Sequence, residues 1–382
     1  MRRDKPGGSL FTMQIDSVEI FRLALPLAKR LSSGTDDRLE TVLVLMQSGD
    51  ASGWGEASPG NAPRDCEEWA AGAFAILKDW LAPAVAGNRI ESGEALEKLL
   101  APFRGNRRAK AALDTAWWDL NAKLLNEPLH ELLGGKKSEL EVGLTFDRMD
   151  SIEEFFSSLG RAFDDGYARL KLMFRPGWDI RMLEAVRREF PSKKFHIDAA
   201  GALSIHHSEI LYRLDDFALA MVEQPLAEDD FVGHAMLQEA IRTPICLGRS
   251  IRTLAHAEMA MELHNCRFVA LDVGRVGGLT AALAIHDVCH ESCTPCFVDA
   301  VPQTTIAARH AFALAAKDNC GEYPAEYFPA EEFMAADVAQ PLLPIRGEDG
   351  IRRIRLDASP GIGVEPDRQV IEKYCLERVK LP

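Results

Sequence analysis

The chain has 382 residues, 47% of them hydrophobic and 27% charged, enough for one large domain or two, with a substantial core. Acidic residues outnumber basic ones by 58 to 44, and the net charge of −14 with no dense basic run excludes nucleic acid and anionic membrane surfaces as partners. No stretch reaches about 18 uninterrupted apolar residues and no signal-peptide core follows Met1 to Gly8, so a soluble, cytoplasmic protein with eight reduced cysteines is expected.

Residues 1–13, rich in Arg, Lys and Gly, read as a flexible leader. Residues 14–138 read as an α+β unit. Its first part alternates, as in "IDSVEIFRLAL" and "ETVLVLM", and is punctuated at "SGDASGWGEASPG", which predicts two or three antiparallel strands. Helical spacing then runs from Asp65 to Leu133, clearest in "RAKAALDTAWWDLNAKLL", and stops at Gly134 and Gly135.

From 139 to 335 short apolar runs such as "YARLKLMF", "KFHIDAA", "LAMVEQP", "PICLG" and "RFVALDV" alternate with amphipathic stretches such as "DIRMLEAVRREF", the pattern of a parallel sheet. Met173, Asp198, Glu223, Gly248, Asp272 and Asp299 each occupy the last part of a run, at separations of 25, 25, 25, 24 and 27 residues, the length of one βα unit. An open doubly wound sheet would carry a glycine-rich phosphate turn after its first strand, and "GRVGG" at Gly274 to Gly278 is neither GxGxxG nor early in the chain. The predicted fold is therefore α/β, a modified (β/α)8 TIM-type barrel over 139–335 with the N-terminal α+β unit as a capping domain. Residues 336–382, with "IRRIRLDASPGIGVEP", are expected to return to the capping domain as a strand and loop.

Strand C-termini of such a barrel open on one face, where distant side chains converge. Asp198 and Glu223 end adjacent strands, so they suit Mg²⁺, or else they need a protein cation, since buried like charges raise one another's pKa. Arg249, on the next strand, is placed to be that cation. The cluster His286, Cys289, His290, Cys293 and Cys296 lacks the paired CxxC form of a zinc site and reads as a helix end with buried thiols. His196, His206, His207, Trp117 and Trp118 read as structural.

Taken together, "SSGTDDRLETVLVL", "GWGEASP", "FRGNRRAKAALD", "LKLMFRPGWD", "VEQPL", "GHAML", "RTPICL", "GRVGG" and "GIGVEP" resemble the enolase superfamily in its muconate-lactonizing branch, over almost all of residues 14–365. The pattern looks most like o-succinylbenzoate synthases and N-acylamino acid racemases. The resemblance implies a capped barrel in which Mg²⁺ on three strand-end carboxylates stabilises an enediolate and lysines on opposite faces move protons. Its metal ligands match Asp198 and Glu223, but the third position is Gly248, followed by Arg249. Of the family's Lys-x-Lys, Lys171 remains and Met173 replaces the usual base; Asp272 replaces the opposing lysine; Phe297 and Val298 stand in the usual glycine-rich substrate loop.

Two readings follow. In the first, Arg249 and Lys171 neutralise Asp198, Glu223 and Asp272 to a net charge of −1, with Asp272 facing Lys171 across the cavity; no cofactor is expected, and the barrel binds a small carboxylate-bearing molecule. Met173 cannot accept a proton, and an isolated Asp272 without Mg²⁺ is too weak a base for a carbon acid. In the second, Lys171, Asp272 or Asp299 serve rebuilt chemistry, and the chain is a lyase or isomerase acting alpha to a carboxylate, with Mg²⁺ if the family site survives. A homo-oligomer is expected in either case.

Overall fold

The computed structural model describes residues 13–31, 36–147, 149, 151–175 and 178–382. Residues 1–12 of the expected leader lie outside them, whereas Met13 already pairs with Ile90 in a two-residue antiparallel ladder.

The capping domain is built on strands β1 (Ser17–Pro26), β2 (Arg38–Ser48) and β3 (Ala51–Ala57), joined as an antiparallel meander. Both faces of this sheet are apolar, and both are used. Val18, Ile20, Val42, Val44 and Met46 pack with the helix Arg107–Leu125, while Phe21, Leu23, Leu25, Leu43 and Leu45 pack into the core shared with the barrel. The helix lies directly on β3: a Cβ on Gly55 would stand 2.0 Å from the Ala112 carbonyl, and one on Gly53 would stand 2.3 Å from that of Ala116. Glycine at these two positions is what permits the contact.

The barrel has eight parallel strands: β4 (Glu139–Phe146), β5 (Arg169–Met173), β6 (Phe195–Asp198), β7 (Val222–Glu223), β8 (Ile245–Leu247), β9 (Phe268–Leu271), β10 (Cys296–Val298) and β11 (Ala325–Glu326). Each pairs with its successor from β4 to β10, and β11 pairs with β4 on the other side. Helices follow the strands, for example Ile180–Glu189, Phe231–Ala240 and Leu254–Leu263. Period-two alternation sorts the residues. On β5 Leu170 and Leu172 join the helix-facing core while Arg169 and Lys171 point into the barrel; on β6 Phe195 and Ile197 join that core while His196 and Asp198 face in. Met221, Cys246, Ala270 and Phe297 plug the interior.

The C-terminal segment is divided between the two units. Strands β12 (Ile345–Arg346) and β13 (Arg352–Arg355) form a hairpin whose second strand pairs antiparallel with the start of β4, and only β14 (Cys375–Leu381) crosses to the cap, where it pairs with β1. The free edge at the start of β4 accounts for the detour, because unpaired backbone there needs a partner. No described helix is long and apolar enough to cross a membrane.

Candidate functional site

The six polar strand-end positions read from the sequence do fall together at the barrel mouth, beneath a cavity of about 1010 Å³ that is walled on the other side by cap residues including Arg38, Asp65, Cys66 and Arg108. Met173, Asp198, Glu223 and Asp299 line it, with Lys171 deeper and Phe146, Tyr327 and Phe328 along one wall.

Lys171 is the hub. Its Nζ lies 3.0 Å from Asp299 Oδ1, 3.4 Å from Glu223 Oε2 and 3.9 Å from Glu326 Oε2. Burial by itself would favour the neutral amine, but Asp299, Glu223 and Glu326 outweigh it and hold the ammonium well above the ordinary lysine range. The expected facing partner, Asp272, is not among these. Asp272 accepts from Arg108 Nη2 at 2.7 Å and lies 3.4 Å from Arg275 Nη2, because its strand ends one residue earlier and the side chain turns back to cap the helical turn at Val273. Burial would push its carboxyl up; Arg108 and Arg275 instead hold it below the usual carboxylate range. Arg275 also reaches Asp299 at 3.3 Å, and Lys171 and Arg275 together keep Asp299 ionised against burial.

Arg249 differs from expectation as well. It is half-buried on the cavity wall, and its Nη1 donates over 3.4 Å to the carbonyl of Asp65 in the cap; no described carboxylate lies within ion-pair distance of it. The place beside Glu223 belongs to Lys171. Asp198 makes no ion pair within the described residues. It accepts the Ala200 N–H at 2.7 Å, and burial, with the Glu223 charge next, pushes it up to about 7 against the smaller pull of Lys171 and Arg249.

At Gly248 a Cβ would stand 3.1 Å from Glu223 Oε1, 3.3 Å from Ala270 Cβ and 3.5 Å from Arg275 Nη1, so the position opens onto little more than a methyl group's space. Below it, Arg169 binds Glu326 at 2.8 Å and stacks between Phe297 and Tyr323, while His196 sits 3.5 Å from Glu223 with its pKa driven well down by burial, then by Arg169 and Lys171. Phe297 therefore packs the barrel interior.

Reading the strand ends alone missed Arg108, Arg169, Arg275 and Glu326. Arg275 stands inside "GRVGG" and Arg169 two residues before Lys171, so alternation could have found both; Glu326 belongs to a two-residue strand, and nothing in "NRRAK" signals that Arg108 reaches across to the barrel. The cysteine-rich stretch assembles differently. Cys289 and Cys296 are buried, Cys293 is exposed, and His286 hydrogen-bonds Asp287 and the Asp318 carbonyl; within the described residues no three His, Cys, Asp or Glu side chains are placed to hold a metal ion. His206 and His207 end a short 3-10 turn, and Trp117 and Trp118 pack edge to face in the cap helix.

Known proteins share this architecture. Residues 17–134 match the mandelate racemase/muconate lactonizing enzyme N-terminal domain, and residues 155–370 the enolase C-terminal domain-like family. The chain is 37% identical to an o-succinylbenzoate synthase of Geobacillus stearothermophilus over 90% of both chains, and 34% identical to an N-succinylamino acid racemase of Thermus thermophilus over 95% of this chain and 98% of that one. A crystal structure of an enolase superfamily member from Listeria innocua superposes with a TM-score of 0.90 at 29% identity, covering 97% of this chain and 99% of the other. With two matched domains in the order and orientation described, a capped barrel and the polar strand ends beneath the cap, the chain belongs to the enolase superfamily, in its mandelate racemase and muconate-lactonizing branch.

Proposed function

We propose that this chain binds a small carboxylate-bearing molecule in the cavity beneath its cap and does not perform Mg²⁺-assisted proton abstraction. The observation that carries the reading is Gly248. Where a third strand-end carboxylate would complete an oxygen cage, the backbone offers only an opening bounded by Glu223 itself and the Arg275 guanidinium. Of the two remaining acids, Glu223 is engaged by Lys171. Mg²⁺ demands near-octahedral oxygen coordination and sheds water reluctantly, and two acids, one already paired with an ammonium, do not fit it. The proton-transfer groups fit no better. Met173 carries no exchangeable proton, Lys171 is held as the ammonium, and Asp272 and Asp299 are held as carboxylates by their cations.

Mg²⁺ titration by calorimetry, with turnover assays on o-succinylbenzoate precursors and N-succinylamino acids, tests this. Expected are no Mg²⁺ binding below millimolar concentration and no turnover. Tight Mg²⁺ binding that disappears in Asp198→Ala would overturn the reading. A second reading, a lyase or isomerase whose acid–base work is rebuilt on Lys171, Asp272 or Asp299, is favoured by the similarity to a synthase and a racemase over nine-tenths of the chain. Metal-independent turnover lost in Lys171→Met would establish it.

A further inference from the structure

The cations around the cavity divide into those already committed and one at the strand ends that is not. Lys171 is held by Asp299 and Glu223, Arg275 by Asp272 and Asp299, and Arg108 by Asp272. At the rim Arg252 pairs with Asp229 at 2.5 Å and with Glu228 at 3.4 Å, and Arg107 with Glu67 at 2.5 Å. Arg249 sits among them at the end of β8 with a single long hydrogen bond to a backbone carbonyl. A guanidinium carries five donors in a planar fork, so most of the donors of Arg249 remain to be met.

We infer that Arg249 is the receptor for the ligand's carboxylate, which docks on its guanidinium at the end of β8. The inference rests on the carboxylate-binding reading above and deepens it. A half-buried guanidinium, partly stripped of water yet unpaired, gains most from a charge-assisted, bidentate acceptor, and the carboxylate is the small organic anion whose geometry matches its fork. Asp198, the nearest acid to influence it, does not compete for that fork, since it makes no ion pair with Arg249 and already accepts the Ala200 N–H. The rest of the ligand meets Met173, Phe146 and Phe328, which line the same cavity. The ligand class is thus a carboxylate on an apolar body, recognised by arginine rather than by a metal.

The test compares N-acetyl-L-phenylalanine with its carboxamide by calorimetry, using the full chain in the presence of chelator. The acid should bind at least about tenfold more tightly than the amide, as a charge-assisted contact implies. In Arg249→Gln that preference should vanish while the weak binding of the amide is unchanged, and Arg249→Lys should keep part of it. Because Arg249 makes no structural ion pair, Arg249→Gln should melt where the unaltered chain does. Equal binding of acid and amide, an undiminished preference in Arg249→Gln, or no binding of the acid at millimolar concentration overturns the inference. Chelator keeps the outcomes separable: Mg²⁺ binding in its own titration sinks the metal-free reading alone, whereas loss of the acid preference sinks this assignment alone.

Discussion

At the end of β8 two adjacent residues turn in different directions. Gly248 faces Glu223, Ala270 and Arg275 inside the barrel, and Arg249 reaches toward Asp65 of the cap. A carboxylate at 248 would restore the missing oxygen donor, while an acid at 249 would remove a positive charge from the neighbourhood of Asp198. Gly248→Asp combined with Arg249→Asp is therefore expected to bind Mg²⁺ at least tenfold more tightly than the unaltered chain, read by calorimetry. No gain would show that the orientation of Asp198 and Glu223, and not the lost ligand, bars the metal. Which residues stand at the site was legible at this scale: each strand-end position carries the side chain the 24-to-27-residue spacing assigned to it. Their partners were not. Spacing reports which way a side chain points, but the pairing of Lys171 with Asp299 and not with Asp272 depends on where two strands stop to within one residue.

Between elements, the junction of cap and barrel is made by buried polar side chains on the cap helix. Asp114 accepts the Thr280 N–H at 3.1 Å and its hydroxyl, next to Gly278, whose φ of +127° and lack of a Cβ admit the carboxylate, since a Cβ there would lie 2.3 Å from Asp114 Oδ2. Burial, opposed by these hydrogen bonds, pushes Asp114 up to about 7. A carboxyl raised on folding binds more protons folded than unfolded, so its contribution to stability is greatest below the unfolded value near 4 and falls as pH rises to the folded one. Asp114→Asn removes that dependence. Relative to the unaltered chain the variant should gain about 1–2 kcal/mol between pH 5 and pH 8, a discount on the ~1.4 kcal/mol per unit that a full shift would give. Urea melts at the two pH values check it, and a constant difference would mean that Asp114 is ionised throughout. The helix itself was legible from its spacing; that it would be pinned by Thr280 was not, because a buried Asp in an amphipathic repeat looks the same whether its partner lies in the cap or 166 residues away.

For the molecule as a whole, Arg108, Arg169, Lys171 and Arg275 face Asp198, Glu223, Asp272, Asp299 and Glu326, a buried network that runs from the cap helix to the barrel interior and carries one net negative charge when every member is ionised. Asp198, the acid pushed up to about 7 and lacking an ion pair within the described residues, is where that charge is relieved by a proton. The network crosses the domain boundary at Arg108 and Asp272, whose side chains are 8% and 5% exposed, and the cap sheet shares an apolar core with the barrel helices. Cap and barrel should accordingly melt in one calorimetric transition. Removing one partner strands a buried charge, so Arg108→Met or Asp272→Leu alone should cost about 3–5 kcal/mol, whereas the double variant, which replaces the pair by apolar groups, should lie close to the unaltered chain. The interaction energy from that cycle should exceed 2 kcal/mol, roughly the upper half of the range for contacting residues. If the single losses simply add, or if the cap melts ahead of the barrel in the unaltered chain, the pair contributes nothing to joining the two domains, and the apolar core beneath the cap sheet holds them together unaided.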